Sequence, residues 1–221
     1  MKNTTFFFLF IFFLCSNKFL SQENSNQGII SGNIQTIGQY YQEDTLINAA
    51  LPDHQYGFNG FANINYHKGD FRAGIRYESY LNTLEGYPVS FNGTGIGYRY
   101  LAWEKDKLGV TIGNFYDQFG SGMILRAYEE RQLGIDNSLD GIRLKYEPIK
   151  GMYLKAMIGK QRYQFVDGLV NGTGIVRGLD GELNLNELMS DSNKNSKLKV
   201  IIGGSFVSKF NDDNKNPVFN L

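Results

Sequence analysis

The sequence predicts an all-β protein, and within that class an antiparallel transmembrane β-barrel. Three observations lead to this prediction. Apolar and polar residues alternate over segments of about ten residues, no segment repeats its apolar residues at helical spacing, and long connections alternate with tight ones. The 221 residues include 26 Gly, 17 Phe and 14 Tyr but 4 Pro and 1 Trp. Abundant glycine and aromatic residues are typical of β-proteins with many turns.

The N-terminus has the features of a secretory signal peptide. Lys2 is followed by an apolar run at residues 6–14, which is far shorter than the roughly 20 residues of a membrane-spanning helix. We therefore predict a signal peptide at residues 1–21, a polar lead-in at residues 22–28 and a β-barrel region at residues 29–221. A signal peptide followed by a barrel predicts export to the bacterial outer membrane.

The period-two alternation predicts nine strands. Each strand has one apolar face and one face of charged, amide or small residues. The alternation is weakest at residues 29–41 and 94–103. In chain order, the clear apolar faces are Phe58, Ala62, Ile64 and Tyr66; Phe71, Ala73, Ile75 and Tyr77; Leu108, Val110 and Ile112; Ile142, Leu144 and Tyr146; Met152, Leu154, Ala156 and Ile158; Leu179, Leu183 and Leu185; and Leu198, Val200, Ile202 and Phe206.

Two architectures fit this alternation. In a soluble β-sandwich the apolar face packs inward, whereas in a membrane barrel it meets lipid and the charges line the lumen. Strands that approach 9–11 residues, aromatic residues near strand ends and small residues on apolar faces favour the membrane barrel. The basic strand residues then face the lumen, and these are Arg72, Arg76, Arg99, Arg143 and Lys145.

The connections support the same architecture, because outer-membrane barrels have short periplasmic turns and longer external loops. An intermediate connection at residues 189–196 blurs the pattern. The predicted long connections are residues 42–53, 82–92, 116–137 and 166–176, and the tight ones are residues 67–70, 104–107 and 148–151.

The run from Gly113 to Gly141 interrupts the alternation with glycines, aromatics and charges of both signs. Loops of this length usually have a role. We hypothesise that its loop, residues 117–137, folds into the lumen and constricts a pore, where opposed charges would select solutes. The alternative is a solvated loop whose charges pair locally, each pair worth about 0–1 kcal/mol. The candidate constriction residues are Asp117, Arg126, Glu129, Glu130 and Arg131.

The strand count predicts an incomplete barrel. Bacterial single-chain barrels usually have an even number of strands, and the polar end at residues 211–221 is unlike a closing strand. The sequence therefore predicts the N-terminal portion of a larger barrel, truncated at its C-terminus. A missed strand at residues 122–128 is the alternative explanation of the odd count.

The long run also resembles a known family. The residues that carry the resemblance are Gly113-Asn-Phe-Tyr116, Phe119-Gly-Ser-Gly122, Arg126, Tyr128-Glu-Glu-Arg131 and Leu133-Gly-Ile-Asp-Asn137, followed by Gly141. On these residues the chain resembles an uncharacterised family of outer-membrane β-barrel proteins of Bacteroidetes-type bacteria. The resemblance covers most of the mature chain. It implies the barrel fold and the outer-membrane location, and it implies no activity.

Several function classes find no support in the sequence. The net charge is zero, which gives no electrostatic footprint for nucleic acid. The one cysteine, Cys15, falls in the leader, and the two histidines, His54 and His67, stand far from any serine motif or third metal ligand. We therefore predict no enzymatic activity, no cofactor and no metal site.

Three functions remain as hypotheses. The first is porin-like passage of small solutes, with the 117–137 loop as constriction. The alternative is a non-enzymatic structural or accessory barrel subunit of a surface or secretion complex, and the third is a secreted soluble β-sandwich that binds glycans. The predicted partners are outer-membrane lipid and, for the accessory subunit, other outer-membrane or periplasmic proteins.

Overall fold

One antiparallel sheet of nine strands dominates the computed structural model, which describes residues 27–189 and 198–211. Neighbouring strands in the sheet are also consecutive in the chain. The strands are β1 (Ile29–Tyr40), β2 (Tyr56–Lys68), β3 (Phe71–Leu81), β4 (Phe91–Lys105), β5 (Leu108–Phe115), β6 (Leu139–Tyr146), β7 (Met152–Val166), β8 (Leu169–Asn184) and β9 (Ile201–Phe210).

The structure confirms the all-β class and, for the described residues, the count of nine strands in the sheet. The predicted signal peptide at residues 1–21 and nearly all of the polar end at residues 211–221 lie outside the described residues, as does most of the lead-in. Among the described residues, no helix is long and apolar enough to cross a membrane. The one described α-helix, α1, spans Leu185–Met189.

One predicted connection is wrong, and so is the alternative of a missed strand. Residues 166–176 are not a long loop, because β7 and β8 continue to a tight turn in which Asp167 and Gly168 both have positive φ, 50° and 136°. Residues 122–128 are not a missed strand of the sheet. Within them, Arg126–Ala127 alone is extended, and it pairs locally with Asp117–Gln118.

The described strands form an open sheet, because β1 and β9 do not pair with each other. The sheet nevertheless folds back on itself at one end. There the tip of the β7–β8 hairpin reaches the start of β4, where Phe165 and Val166 pair in parallel with Phe91 and Asn92. Strands β4 and β7 thus meet although β5 and β6 lie between them in the sheet, so these four strands enclose a space.

The sheet buries its charged face and exposes its apolar face, which is the reverse of a sheet in a soluble protein. We call the face that packs against the β5–β6 loop the inner face. On β3, Arg76 and Glu78 of the inner face are buried, whereas Ile75 and Tyr77 of the outer face are exposed. Exposed apolar residues at outer-face positions of other strands include Ile64, Leu101, Trp103, Ile112, Ile142, Leu144, Leu154, Ile158, Leu179, Ile202 and Phe206.

Candidate functional site

The β5–β6 loop, residues 116–138, is a folded unit that lies on the inner face. It contains two short ladders: Asp117–Gln118 pairs with Arg126–Ala127, and Glu129–Glu130 pairs with Ile135–Asp136. The buried Phe119 and Ala127 of the loop belong to one apolar cluster with inner-face residues of the sheet, namely Phe115, Leu139, Met157 and Val176. The loop is therefore packed into the interior of the curved sheet.

A single turn of 3₁₀-helix, Arg131–Leu133, forms the tip of the second ladder. Glu130 caps its start by accepting a hydrogen bond from the Gln132 amide at 3.4 Å, and Gly134 ends it in the left-handed conformation at φ 64°. The Arg131 side chain then extends to the sheet. Its guanidinium donates to Gln35 Oε1 of β1 at 2.7 Å and lies 4.4 Å from the centroid of the Phe61 ring on β2.

Arg76 of β3 joins the sheet to this loop. Its Nη1 donates to Glu129 Oε1 at 2.9 Å and its Nη2 to Asp136 Oδ2 at 2.7 Å, while its Nε donates to Glu78 Oε1 on the same strand at 2.6 Å. The Arg76 side chain is 5 % exposed. Charge-assisted hydrogen bonds in such a dry setting are stronger than those on a surface. This guanidinium therefore fixes the loop in place.

Arg162 of β7 brings a third element to the same point. Its two terminal nitrogens hold the Glu78 carboxylate at 3.1 and 2.7 Å, and Nη1 also donates to Asp136 Oδ2 at 2.6 Å. Both Arg162 and Glu78 have side chains with no exposed surface. We call this group the interior cluster, and it consists of Arg76, Glu78, Glu129, Arg131, Asp136 and Arg162.

The interior cluster is neutral, with three arginines against three carboxylates. Burial raises the pKa of the Asp136 carboxyl, and the nearby Arg162 and Arg76 guanidinium groups oppose that rise. Burial also raises the pKa of the Tyr116 hydroxyl, and the charge of Asp136 adds to the shift. Tyr116 therefore remains a neutral donor, and it donates to Asp136 Oδ1 at 3.0 Å. The hydroxyl of Tyr80 likewise donates to Glu78 Oε2 at 2.9 Å.

A second group of charges holds the beginning of the loop. Asp117 Oδ2 accepts from Arg143 Nη1 of β6 at 3.0 Å, and Asp117 Oδ1 accepts from Lys155 Nζ of β7 at 3.0 Å. Lys155 also lies 3.5 Å from Asp180 of β8, whose other oxygen accepts from Ser205 of β9 at 2.6 Å. The loop is thus anchored at two points, by Asp117 and by the interior cluster.

Half of the ten predicted site residues lie in these anchors. Asp117, Glu129 and Arg131 of the loop contact the inner face, and Glu129 lies against a basic strand residue, Arg76. Arg143 is on the inner face as predicted, and each of its contacts is to the loop or to a neighbouring strand. Asp117 is paired with Arg143 and Lys155, and Glu129 with Arg76, where the loop meets the sheet. Constriction of a pore by the loop stays a hypothesis.

Two predicted constriction residues do not reach the interior. Arg126 and Glu130 are both exposed. The Arg126 guanidinium stacks over the Tyr128 ring of the same loop at 4.6 Å, and Glu130 caps the 3₁₀ turn. Two predicted lumen residues are on the inner face but near the tight turns. Arg72 forms a half-exposed ion pair with Glu104, and Lys145 is exposed.

Arg99 is on the outer face, so its prediction as a lumen residue is wrong. The reason is a β-bulge in β4: Tyr77 pairs with Ile96 and Arg76 pairs with Tyr98, which leaves Gly97 as an extra residue. Without the bulge Arg99 would pair with Gly74, but it pairs with Ile75 of the outer face. A shift of one residue moves every following side chain to the other face.

Sequence reasoning missed two central residues of the interior cluster. Glu78 lies on the polar face of a clearly alternating strand, and that position was its only signal. Arg162 lies just after the last residue of the predicted strand at 152–159, where bulges disturb the pairing of β7 with β8 between Lys160 and Gln164. The alternation ends there, and no sequence pattern connects Arg162 to Glu78, which is 84 residues away.

Gly97 allows the Glu78 carboxylate to lie against β4. A Cβ at Gly97 would be 2.1 Å from the Glu78 carboxyl carbon, which Arg76 and Arg162 hold in place. We expect Gly97→Ala to lower the free energy of unfolding by about 1–3 kcal/mol, as overpacking does in interiors. Chemical denaturation in detergent measures the change. The matched control is Gly38→Ala, whose Cβ would have no atom within 4 Å. Equal stability of the two variants would contradict the prediction.

The fold and the site define the class: an all-β protein with one large curved sheet and an ion-paired loop inside it. The chain belongs to a family of unknown function (DUF6029), which matches residues 1–220. No curated protein and no solved structure matches the chain. Membership of an uncharacterised family is thereby confirmed. The description of the family names neither an outer membrane nor a bacterial group, so those two points stay predictions.

Proposed function

We propose that this protein is a non-enzymatic β-barrel protein of the bacterial outer membrane whose interior is filled by the 116–138 loop. One observation supports its location in lipid: the strands expose apolar side chains and bury charged ones. Ile75 is 41 % exposed, whereas its neighbour Arg76 is 5 % exposed. In water this arrangement has two unfavourable contributions to the folding free energy. The apolar surface stays hydrated, and the buried charges lose their hydration. In a bilayer both faces match their surroundings.

The outer face also has the shape and composition of a lipid contact. Two shallow grooves of about 440 and 600 Å³ run along it. Acyl chains fit apolar grooves of this kind without the close packing that a protein core requires. The apolar side chains that line the grooves are Ile64, Ala73, Ile75, Leu101 and Ile112 in the first, and Leu144, Leu154, Ala156, Leu179 and Phe206 in the second.

Aromatic residues border this surface at the end of the tight turns. Phe71, Trp103 and Tyr146 each lie within three residues of a turn, and all three are exposed on the outer face. Aromatic girdles at the level of the lipid headgroups are characteristic of membrane barrels. These three residues therefore support one edge of the proposed membrane-spanning region.

A barrel in lipid must close, because an unpaired strand edge leaves backbone groups without hydrogen bonds in hydrocarbon. The described residues leave one edge of β1 and one edge of β9 unpaired. The proposal therefore requires further strands to pair with these edges. Such pairing is natural for a structural or accessory barrel subunit, which assembles with other strands or chains.

The interior supports the structural or accessory role better than an open pore. The inward-facing loop charges of Asp117, Glu129 and Asp136 are neutralised by partners at 2.6–3.0 Å. An aromatic cluster of Phe61, Tyr80, Phe91 and Phe165 occupies a further part of the inner face. An interior whose charges are paired has no charged constriction through which solutes pass.

Porin-like passage of small solutes is the second candidate. The observation in its favour is a polar recess of about 420 Å³ at the end of the tight turns. Glu104, Lys145, Lys155 and Glu182 line it, so water and polar solutes have access to that part of the inner face. Liposome swelling separates the candidates. Sugar uptake would establish the second, and a sealed vesicle with the protein inserted would support the first.

A charge placed on the outer face tests the location in lipid. Ile142 lies between Ile112 and Ile158, in the apolar belt and four residues from Tyr146. We expect Ile142→Arg to cost about 2–4 kcal/mol of folding free energy in lipid vesicles, because arginine near the bilayer midplane is expensive. Urea unfolding from vesicles measures it. On a soluble protein, the same change at an exposed position costs about 0.5 kcal/mol or less.

Ile124→Arg is the matched control for this test. Ile124 is 53 % exposed, as an apolar residue of the loop, and Ile142 is 48 % exposed on the sheet. Both variants gain one arginine, so a general effect of charge alters both equally. A loss below 1 kcal/mol for Ile142→Arg, or an equal loss for the two variants, would refute the location in lipid and leave the soluble glycan-binding hypothesis in its place.

A further inference from the structure

A cavity on the inner face has the features of a binding site for a small solute. It has a volume of about 230 Å³, which equals roughly seven waters at ~30 Å³ each. It lies between the loop, at Tyr116, and the tight-turn end of β3, at Arg72. This cavity is separate from the lipid-facing grooves and from the interior cluster, and neither proposed function above gives it a role.

Three tyrosines give the cavity flat aromatic walls. The rings of Tyr98 and Tyr116 stack at 5.3 Å with an angle of 20° between them, and the ring of Tyr100 meets Tyr98 edge-on at 5.9 Å. Stacked rings of this kind keep their position without a ligand, because each supports the next. They offer apolar surface to a ring-shaped solute.

Among the described residues, the lining of the cavity contains two arginines, Arg72 and Arg143, and no carboxylate. The Thr111 hydroxyl accepts from Arg143 Nη2 at 3.1 Å, so its own hydrogen is left to donate. Asn114 also lines the cavity but is completely buried, and the Asn114 Nδ2 and Arg143 Nε atoms, which have no partner within the described part of the chain, have no exposed surface. A ligand for this cavity therefore needs acceptors and negative charge that suit the two guanidinium groups.

The acceptors of the cavity's surroundings are already engaged. The Asp117 carboxylate is held by Arg143 and Lys155, and the Glu104 carboxylate by Arg72. A carboxylate suits the two arginines, because it carries the opposite charge and places about four acceptor positions on two adjacent oxygens. Arg72 is 44 % exposed in its ion pair, so its guanidinium group can turn toward a second carboxylate at a small cost in free energy.

We propose that this cavity binds a small hydroxylated carboxylate of the chemical class of sugar acids. Its carboxylate accepts from the half-exposed Arg72, beside the positive charge of Arg143, and its ring lies against the tyrosines. The inference does not depend on the location in lipid, since every group that it uses is on the inner face.

The test is isothermal titration calorimetry of the full chain in detergent with D-galacturonate and D-galactose. The two probes have the same ring. Galacturonate carries a carboxylate where galactose carries a hydroxymethyl group. We expect galacturonate to bind at least tenfold more tightly. Arg72→Gln changes a half-exposed group, and we expect it to reduce the preference severalfold while leaving the melting temperature unchanged.

Ala102→Leu provides the steric test, because Ala102 lines the cavity and a leucine fills it without removing a polar group. We expect at least a tenfold loss of galacturonate affinity. Ala156→Leu places the same side chain on the outer face and is the matched control, with unchanged affinity. If wild type releases no heat with galacturonate, or prefers neither sugar, the ligand class is wrong. If Ala102→Leu binds as wild type does, the location is wrong. If Ala102→Leu fails to fold, the preference of Arg72→Gln for galacturonate over galactose decides whether the cavity is the binding site.

Discussion

Replacing Arg162 by methionine is expected to lower the free energy of unfolding by about 3–5 kcal/mol, the cost of removing one partner from a buried ion pair. Arg162 contacts Glu78 through two nitrogens and Asp136 through one, and Glu78 has no exposed side-chain surface. Methionine keeps much of the volume between the Phe91 and Phe165 rings but supplies no donor. Urea unfolding in detergent, followed by circular dichroism, measures the loss.

Arg126→Met is the control for this experiment. Arg126 is exposed, and it stacks over Tyr128 at 4.6 Å, a contact worth about 0.5–1 kcal/mol at such sites. Arg162→Lys separates charge from geometry, because a lysine keeps the charge but cannot hold a carboxylate with two parallel bonds. We expect it to fall between wild type and Arg162→Met. A loss below 1 kcal/mol for Arg162→Met would show that the interior cluster does not stabilise the fold.

A double substitution tests whether the cluster acts as a unit. Arg162→Met together with Glu78→Leu removes both partners of the pair. Its loss should be smaller than the sum of the two single losses, because neither group is then left buried without its partner. Arg76 still has carboxylate partners in the loop, Glu129 and Asp136, in the double variant. Additive losses would mean that the two residues contribute independently.

The strands could be predicted from the sequence because the alternation of apolar and polar residues is a local pattern. On β3 each inner residue is followed by an outer one, and the polar set of Arg72, Arg76 and Glu78 is readable without a structure. Alternation predicted the sheet correctly wherever the pairing is regular. It also placed Arg143 on the inner face, where the structure has it. Which face meets lipid is not contained in the period, so that choice depended on strand length and aromatic positions.

The errors on Arg99 and on β7 have one physical origin, which is irregular pairing. The bulge at Gly97 changes the face of Arg99, and the bulges between Lys160 and Gln164 hide the rest of β7. A bulge adds one residue to one strand, and its effect on the following faces depends on the partner strand. The contact of Arg162 with Glu78 follows from the same hairpin, which turns across the sheet to reach β4. Long-range pairing of this kind leaves no local signature in the chain.

Release of the loop is the second large effect that we expect. The double variant Asp117→Asn/Asp136→Asn keeps the shape of both anchoring side chains and removes both charges. Asp117 loses its ion pairs with Arg143 and Lys155, and Asp136 loses those with Arg76 and Arg162. Each charge-assisted hydrogen bond contributes about 1.5–3 kcal/mol. Each asparagine keeps one acceptor oxygen, so we expect the loss to be smaller than the sum of these contributions. A loss of about 2.7 kcal/mol in the closed loop corresponds to a ~100-fold larger equilibrium constant for local opening.

Hydrogen exchange measures this opening at individual amides of the loop. The Phe119 amide donates to the Leu125 carbonyl at 3.1 Å, and the Asn137 amide to the Tyr128 carbonyl at 3.2 Å, so both report on loop structure. We expect their protection to fall by about 100-fold, while amides in the centre of β2 and β3 keep theirs. Arg126→Gln, in the same loop but exposed, should leave all protection unchanged.

The pattern of exchange decides what the loop is. Selective loss of protection in the loop means that the two anchors hold a separable plug inside a sheet that is stable without it. Equal loss in the loop and in all nine strands means instead that the loop is part of the core, and the description of it as a plug is then wrong. Unchanged protection would show that the apolar contacts of Phe119 and Ala127 hold the loop without the ion pairs. The apolar cluster around Phe119 is well buried. We therefore expect the ion-paired anchors to determine where the loop lies, and the apolar cluster to keep the loop compact after the anchors are removed.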